Sequence, residues 1–243
     1  MNITKKELLK YYKNSKRGEK ALQNYPFPFK PSVQLAGIMG DLFGDGHLQG
    51  NPKWRIDYTS KSTTELKRFE KEIKEIFNVK GKIRECSTNK YGKTFNYGIN
   101  YKAVAITLYL FGAPGGNKVL QPFKIPHWIL DDKESFRRFI QRLFDCEGWP
   151  DSEGAILIEM WKSQDLLNEG IDFFQSIKSK LKEYFDIDTS DPFTYSTNKM
   201  RKDGIKTVPI RLKIRRKDSI TKFFKEIGFE NFEKQRKLSL FMR

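Results

Sequence analysis

Ile38-Met-Gly-Asp-Leu-Phe-Gly-Asp-Gly46 and Ile140-Gln-Arg-Leu-Phe-Asp-Cys-Glu-Gly148 are the two stretches of this 243-residue chain that decide its fold. Each closes an apolar run with helical spacing, and each ends in an acidic residue followed by glycine. The second stretch begins 102 residues after the first (140 − 38). That period is too long for a solenoid repeat and predicts a duplicated domain of about 100 residues.

Helices and strands recur in the same order around the two stretches. In the first half we predict helices over residues 33–43, 65–77 and 104–111 and strands over 54–59, around 83 and over 95–99. In the second half we predict helices over 132–146, 164–185 and 219–227 and strands over 155–161 and 209–215. Residues 5–13 are predicted as one short helix before a proline-rich segment.

Two further markers repeat with the acids. A Lys-Ser pair follows each acid, Lys61-Ser62 after 16 residues and Lys162-Ser163 after 15 (61 − 45 and 162 − 147). A lysine, Lys102 or Lys217, opens the last helix of each half. We therefore divide the chain into an N-terminal extension (1–30), a first half-domain (31–123), a connection (124–134) and a second half-domain (135–243).

The composition favours a nucleic-acid partner. Lys and Arg total 46 against 30 Asp and Glu, a formal charge of +16, and this self-repulsion is relieved when a polyanion binds. Cys86 and Cys146 are too few for a disulfide framework, and with His47 and His127 they form no zinc signature. No apolar run approaches the roughly 18 residues that a membrane span needs. We expect a protein of the cytoplasm or an organellar matrix that is not secreted.

The acidic helix ends indicate a metal site. Gly37, Gly40 and Gly44 share one helix face, and close packing of a second helix, here the second motif helix, would offset their cost of about 0.5 to 1 kcal/mol each. Asp45 and Glu147 lie at the negative ends of their helices, where a cluster of carboxylates and carbonyls needs cations. Hard oxygen donors point to magnesium or a similar ion. The alternative for either acid alone is a turn cap before glycine, but its recurrence in matching context favours a metal site.

Basic and polar residues are patterned for nucleic-acid contact. In Arg211-Leu-Lys-Ile-Arg215 the basic residues alternate with apolar ones, as in a half-buried strand whose other face meets DNA. A solvated basic face is the alternative interpretation. The predicted DNA-contacting residues are Arg55, Asp57, Lys82, Arg84, Asn96, Asn100, Lys102, Arg211, Lys213, Arg215 and Lys217.

The two stretches resemble the paired signatures of the LAGLIDADG homing endonuclease family in its single-chain form, over about residues 33–243. Asp45 and Glu147 match the acid positions, whereas Arg142 stands where a small residue is usual. The resemblance implies an α+β fold of two αββαββα halves with pseudo-twofold symmetry, central motif helices and saddle-shaped antiparallel sheets along the DNA major groove.

The resemblance also implies the chemistry. The acids, with the carbonyls of Gly44 and Cys146, would hold Mg²⁺ or Mn²⁺, and Ca²⁺ would bind without supporting cleavage. The chain would act as a monomer and cut one phosphodiester in each strand of a long, pseudo-palindromic or asymmetric duplex target, as in intron homing. Lysines near each scissile phosphate would organise water or stabilise charge; the candidates are Lys61, Lys162, Lys118 and Lys234.

Other functions remain open at this point. A non-cleaving nucleic-acid binder, such as an intron RNA maturase or a transcription regulator, would use the same scaffold. A glycoside hydrolase also uses paired carboxylates, but a cationic surface and a glycine-rich helix face give that chemistry little support. Intein splicing is not expected, since the sequence begins with Met1 and ends in Phe241-Met-Arg243, without the nucleophile and terminal Asn that splicing needs.

Overall fold

The computed structural model describes residues 2–86, 92–195 and 199–242, and the chain forms two compact units, Met1–Gly116 and Asn117–Arg243. Each unit combines an antiparallel sheet with helices. The segment predicted as an N-terminal extension packs within the first unit. Along the described part of the chain, no helix combines the length and apolar character that crossing a membrane requires.

The first unit repeats the predicted αββαββα order. Its elements are α1 (Lys5–Leu9), α2 (Ser15–Ala21), α3 (Val33–Phe43), β1 (Gly46–Gln49), β2 (Arg55–Ser60), α4 (Thr63–Phe77), β3 (Lys82–Glu85), β4 (Phe95–Ile99) and α5 (Lys102–Leu110). The strands pair antiparallel in the order β1-β2-β4-β3. The series from α3 to α5 is the expected half-domain.

The second unit has the same plan with additions. Its elements are α6 (His127–Leu130), α7 (Lys133–Glu147), β5 (Gly148–Pro150), β6 (Ile156–Ser163), α8 (Leu167–Phe185), β7 (Phe193–Thr194), β8 (Lys199–Met200), β9 (Lys206–Ile214), α9 (Lys217–Glu226) and α10 (Phe232–Leu240), with 3-10 turns at Lys118–Leu120 and Gln164–Leu166. The sheet order is β5-β6-β9-β7, and β8 also pairs with β9. The predicted α+β class with repeated halves is confirmed.

Some elements carried no sequence signal. Strands β1 and β5 are too short for an alternating pattern, and α10 buries little more than Leu238, so it lacks apolar periodicity. The helix predicted over residues 5–13 is present but ends earlier than predicted. Helix α1 ends at Leu9 and Asn14 starts a second helix, because its side chain accepts a hydrogen bond from the Arg17 backbone N–H at 3.0 Å.

The glycine after each acid has a steric reason. A Cβ atom on Gly46 would lie 2.9 Å from the Asp41 carbonyl oxygen and from the Leu42 Cα atom. A Cβ atom on Gly148 would lie 2.7 Å from the Phe144 ring and 2.9 Å from the Phe144 carbonyl oxygen. In each half, the backbone therefore turns from helix into strand so tightly that a side chain has no room at the glycine position.

The two halves also share the geometry of one helix C-terminus, which no sequence pattern predicted. Helices α4 and α8 follow the second strand of their units, and each ends in a residue with left-handed backbone conformation, Asn78 at φ 53° and Asp186 at φ 51°. Asn and Asp tolerate this conformation better than most residues. The two halves thus share local geometry as well as element order.

A buried ion pair fixes α3 on α4. The Asp41 side chain is 0% exposed, and both of its carboxylate oxygens accept hydrogen bonds from the Arg68 guanidinium, at 2.7 and 2.8 Å. Arg68 also donates to Glu65 at 3.1 Å and to Glu72 at 3.0 Å. Burial alone would lower the pKa of Arg68, but the charge and hydrogen bonds of Asp41 raise it above its usual value. Asp41 lies one helical turn before Asp45, so this pair orients the end of α3.

Removing the arginine tests this anchor. Arg68→Met leaves the Asp41 carboxylate buried without its cation, and we expect a loss of about 3 to 5 kcal/mol in the free energy of unfolding. The matched control is Lys71→Met, on the same helix, whose exposed pair with Glu75 spans 3.8 Å and contributes less than about 1 kcal/mol. Urea unfolding of both variants measures the difference. Equal stability of the two variants would contradict a structural role for the pair.

Candidate nucleic-acid interface

Both motif acids lie at the junction of a helix and a strand. Asp45 follows the last bonded turn of α3, in which the Gly44 N–H donates to the Gly40 carbonyl at 3.0 Å, and its side chain is exposed. Glu147 is the last residue of α7 and is half-buried. Each carboxylate therefore lies beside the negative end of its helix, as the sequence predicted, and directly before the first strand of its sheet.

The donor set at each acid suits a hard cation. Carboxylate and carbonyl oxygens are the ligands that magnesium prefers. Within residues 2–86, 92–195 and 199–242, no group of three or more His, Cys, Asp or Glu side chains is placed to hold a metal ion. Magnesium is commonly held by one or two carboxylates, with other oxygens completing its shell.

Arg142, which departs from the motif pattern, is part of a polar frame inside the second unit. Its side chain is 0% exposed, and its Nη2 atom lies 2.5 Å from a Glu230 carboxylate oxygen. Its Nη1 atom lies 3.6 Å from the Asp145 carboxylate. Asp145 accepts from the backbone N–H groups of Glu230 at 3.3 Å and Asn231 at 3.0 Å, at the start of α10. Arg142 thus helps to tie α7 to α10.

Lys234 lies at the C-terminal end of α7. Its ammonium donates to the Asp145 carbonyl, and more weakly to the carbonyls of Phe144 at 3.4 Å and Cys146 at 3.5 Å. A cation here neutralises the negative helix end. The Cys146 carbonyl, predicted as a metal ligand, is therefore within reach of a lysine that was itself predicted as a catalytic group.

The paired lysines Lys61 and Lys162 do not occupy equivalent positions. Gly46 pairs with Tyr58 and Gly148 with Ile158, so these pairs align the two halves. Lys61 comes three residues after Tyr58, whereas Lys162 comes four residues after Ile158. Lys162 lies within β6 on the same buried face as Ile158, because strand side chains alternate, whereas Lys61 lies just beyond the end of β2 at Ser60. Lys61 is exposed and Lys162 is buried.

Lys162 points into the second unit and holds the segment that carries Lys118. Its side chain is 2% exposed, and its ammonium donates to the carbonyls of Lys118 at 2.6 Å and Gln121 at 2.9 Å. The same nitrogen lies 3.4 Å from the centre of the Phe123 ring. Burial, with the Lys118 charge, lowers the pKa of Lys162 to about 7, and Glu169 opposes this shift. These contacts give Lys162 a structural role; Lys118 itself is half-buried.

The first sheet collects the predicted contact residues on one face. The register places Asp57 opposite Gly98, which is also opposite Lys82, and places Asn96 opposite Arg84. The Arg55 guanidinium donates to Asp57 at 2.5 and 2.9 Å. A Cβ atom at Gly98 would come within 3.3 Å of both of these side chains. Five of the predicted residues therefore share this polar face, namely Arg55, Asp57, Lys82, Arg84 and Asn96.

The corresponding face of the second sheet is more aromatic. Arg211 pairs with Glu159 across the strands, and its guanidinium carbon lies 4.2 Å from the centre of the Tyr195 ring and 5.7 Å from that of Trp149. The Lys213 ammonium lies 2.8 Å from the Asp151 carboxylate. Leu212 and Ile214 are buried, as the alternation predicted, and Arg215 is exposed beyond the end of β9.

The lysines at the start of the last helices differ between the units. Lys102 is half-buried, and its ammonium donates to the Tyr11 carbonyl at 2.6 Å. Lys217 is exposed at the start of α9. Asn100 is exposed just beyond β4. Lys102 therefore helps to hold the N-terminal segment, a contact that no local sequence pattern indicates.

Sequence reasoning missed several residues on these faces. Glu159 and Trp161 alternate with buried residues along β6, so the period of two could have placed them on the outer face. Trp149 and Asp151 lie at or just after β5, which is too short for such a signal. Tyr195 lies outside the long strands and gave no pattern.

Two known proteins each resemble this chain over a part of their own length. No family model matches the chain. The replication factor C small subunit of Methanocaldococcus jannaschii is 26% identical over 163 residues, and the tRNA-splicing ligase RtcB of Pyrococcus abyssi is 26% identical over 210 residues. These alignments cover 62% and 81% of this chain. The chain spans 9% and 22% of the length of these two relatives, so it resembles a part of each.

Comparison with solved structures identifies the fold. The homing endonuclease I-WcaI, bound to its DNA recognition sequence, matches with a TM-score of 0.56 and 16% identity. The match covers 97% of this chain and 98% of that chain. The N-terminal LAGLIDADG domain of DUF199/WhiA gives a TM-score of 0.47 at 16% identity, over 88% and 91% of the two chains.

The buried lysine predicts a pH-dependent stability. The folded pKa of Lys162 lies below its ordinary value of 10.5, so between about pH 7 and that value the unfolded chain binds the proton that the folded chain has lost. Stability from this group therefore rises with pH across that window. We expect the unfolding free energy of wild type to increase relative to Lys162→Met from pH 7 to 10.

Urea unfolding of both proteins at several pH values measures this trend. Lys124→Met, which removes an exposed lysine of the same unit, is the control for the loss of one positive charge. The contrary result is a difference between the unfolding free energies of wild type and Lys162→Met that is the same at every pH from 7 to 10. That result would show that Lys162 keeps its proton in the folded state.

Proposed function

We propose that this chain, which has the fold of a single-chain LAGLIDADG homing endonuclease, is a site-specific endonuclease that cuts double-stranded DNA with a divalent cation. The observation that carries the proposal is the repeated junction in which Asp45 or Glu147 ends a motif helix immediately before an antiparallel sheet with a polar outer face. One acid and one sheet in each half match the need to cut one phosphodiester in each strand.

The acids are proposed as the metal ligands. Asp45 and Glu147, with the carbonyls of Gly44 and Cys146, would hold Mg²⁺ or Mn²⁺, and Ca²⁺ would bind without supporting cleavage. When bound, such an ion activates a water nucleophile and stabilises the leaving 3′ oxygen. The carboxylates would hold the ion at the start of each sheet, where a phosphate of bound DNA could reach it.

The lysines are proposed to differ in role. Lys61 is exposed just beyond the end of β2, so it can reach a phosphate, whereas Lys162 acts by holding the Lys118 segment. Lys234, at the end of α7, can balance the charge beside Glu147 and reorganise when a cation and DNA bind. Lys61, Lys118 and Lys234 therefore remain the candidates for groups near the scissile phosphates, and Lys162 does not.

The sheet faces are proposed to read bases. Arg211 and Lys213 are paired with Glu159 and Asp151, so part of their charge is already balanced before DNA arrives. Such fixed pairs donate and accept hydrogen bonds in set directions, which suits recognition of base edges in the major groove. The unpaired surplus of positive charge, +16 for the whole chain, would supply the sequence-independent attraction to phosphates.

The sequence relatives support a mobile element. The replication factor C small subunit and the tRNA-splicing ligase RtcB differ in name and length, yet each contains a stretch that resembles this chain and makes up a small part of its length. Site-specific cutting of DNA is an activity that would allow such a segment to move between genes, and a single chain with two halves would act as a monomer.

A non-cleaving DNA or RNA binder is the second candidate. The observation in its favour is the position of Lys234, whose ammonium contacts the Asp145 and Cys146 carbonyls at the end of α7. If Lys234 keeps this position on nucleic acid, it takes the place of a metal ion in the second half. Binding without cleavage, as in a maturase or a transcription regulator, would follow.

Cleavage selection from a randomised duplex library tests the proposal, because it reports activity and target together. With Mg²⁺ or Mn²⁺ we expect one long site to be cut in both strands, and with Ca²⁺ we expect binding without cutting. Asp45→Asn and Glu147→Gln should bind the selected site within about threefold of wild type and lose at least about 100-fold in cleavage rate, since the lost carboxylate no longer holds its cation.

Glu153→Gln, which changes an exposed acid of the second unit, is the matched control and should cut normally. Tight duplex binding by wild type, with no cutting in any divalent metal, would overturn the nuclease proposal in favour of the binder. In that case Lys234→Met shows whether the lysine alone blocks the second site: recovery of metal-dependent cutting identifies it as the cause.

A further inference from the structure

The N-terminal segment is folded against the first unit. Ile3 and Phe29 exchange backbone hydrogen bonds at 2.9 and 3.0 Å, and the Tyr25 hydroxyl lies 3.3 Å from that of Thr107. Leu8 and Leu22 are buried. Helices α1 and α2 also pack tightly, because a Cβ atom on Gly18 would lie within 3.0 Å of Leu9 and Tyr12. Side chains on this segment are therefore held in place.

A cavity of about 510 Å³ lies between this segment and the start of α5; we call it the extension pocket. Three cations, Lys13, Arg17 and Lys102, line it together with the side chains of Asn14, Asn51 and Asn100. No acidic side chain is among its described lining residues. Cations and amides without carboxylates form a surface that attracts anions.

The charges in the extension pocket are close enough to influence one another. Burial, and then the charges of Arg17 and Lys13, lower the pKa of Lys102. In the described part of the chain, none of the three has a carboxylate within salt-bridge distance. The Lys102 ammonium also lies 4.5 Å from the centre of the Tyr12 ring. An anion that bound here would relieve the mutual repulsion.

The pocket is continuous with the outer face of the first sheet. A neighbouring cleft is lined by Arg55, Lys82 and Arg84, which were predicted to contact DNA, and it shares Asn100 and Tyr101 with the extension pocket. The cationic surface therefore runs from the sheet past Asn100 and Tyr101 to helix α2. A DNA backbone has phosphates at regular spacing and would follow such a line of cations.

We propose that the extension pocket is a second backbone site, which binds phosphates of duplex DNA flanking the stretch that the first sheet covers. The inference rests on the proposed function only in that the chain binds DNA, and it does not require cleavage. Lys13 and Arg17 would contact phosphates directly. Lys102 would position this surface through the Tyr11 carbonyl and add to its charge.

The salt dependence of binding tests the proposal without knowledge of the target. Each phosphate contact contributes about 0.9 to the slope of log K against log salt for duplex DNA. We expect Lys13→Ala/Arg17→Ala to lower the slope on a 40-bp duplex of arbitrary sequence by about 1.8 for two lost contacts. Lys16→Ala/Lys20→Ala removes the same charge from helix α2, which also carries Arg17, but outside the pocket, and it should change the slope much less.

Fluorescence anisotropy over a salt series measures the slopes, and thermal unfolding checks that all variants fold. Equal slopes for the two double variants overturn the inference and leave DNA binding intact. A wild type that binds no duplex at any salt concentration defeats the proposed function as well. On a selected target, the Lys13→Ala/Arg17→Ala footprint should shorten at one end only.

Titration with small molecules distinguishes a site for the DNA backbone from a site for a free nucleotide. Inorganic phosphate and a mononucleotide are titrated into the protein by calorimetry, with the Lys13→Ala/Arg17→Ala variant alongside. Weak binding of both, together with the lowered DNA slope, supports the backbone site. Micromolar binding of the mononucleotide, lost in the variant with no change in the DNA slope, assigns the pocket to a free nucleotide instead.

Discussion

The reversal from motif helix into first strand is the constraint on which each half depends. Gly46 and Gly148 bring the strand against the backbone of the helix they follow, with no room for a side chain. The residue before each glycine therefore lies both at the end of the motif helix and directly before the first strand of the sheet. An acid at that position combines a carboxylate, a negative helix end and a polar sheet face within one short stretch of chain.

The two halves hold this junction with different polar frames. In the first, the buried Asp41 of α3 pairs with Arg68 of α4. In the second, the buried Arg142 of α7 pairs with Glu230, close to α10. Buried charges are costly unless they are paired, and they disfavour alternative packings in which the pair is broken. The two halves thus place their acids at equivalent junctions but fix the motif helices with different charged residues.

The surface charge is arranged in two ways that suit different contacts. On the sheets, Arg55, Arg211 and Lys213 are fixed by neighbouring carboxylates, which gives directed donors and acceptors for base edges. In the extension pocket, Lys13, Arg17 and Lys102 lie together, and the described lining residues include no acid, which suits phosphates. The proposed division is recognition by the sheets and additional backbone attraction by the N-terminal segment.

The amino-acid order by itself determined the repeated halves, the helix from Val33 to Phe43, the acids at the helix ends and the outward alternation of Arg211 and Lys213, because each of these depends on residues close in sequence. The tertiary structure decided which lysine faces inward, which acid pairs with Arg142, and that Lys102 contacts the N-terminal segment. Lys162 lies inside β6 and Lys61 lies beyond the end of β2, one residue nearer to the aligned strand pair, so the matching Lys-Ser pairs were misleading. The partners Arg142 and Glu230, or Lys102 and Tyr11, lie some 90 residues apart along the chain, and no local pattern encodes contacts that form only when the core packs.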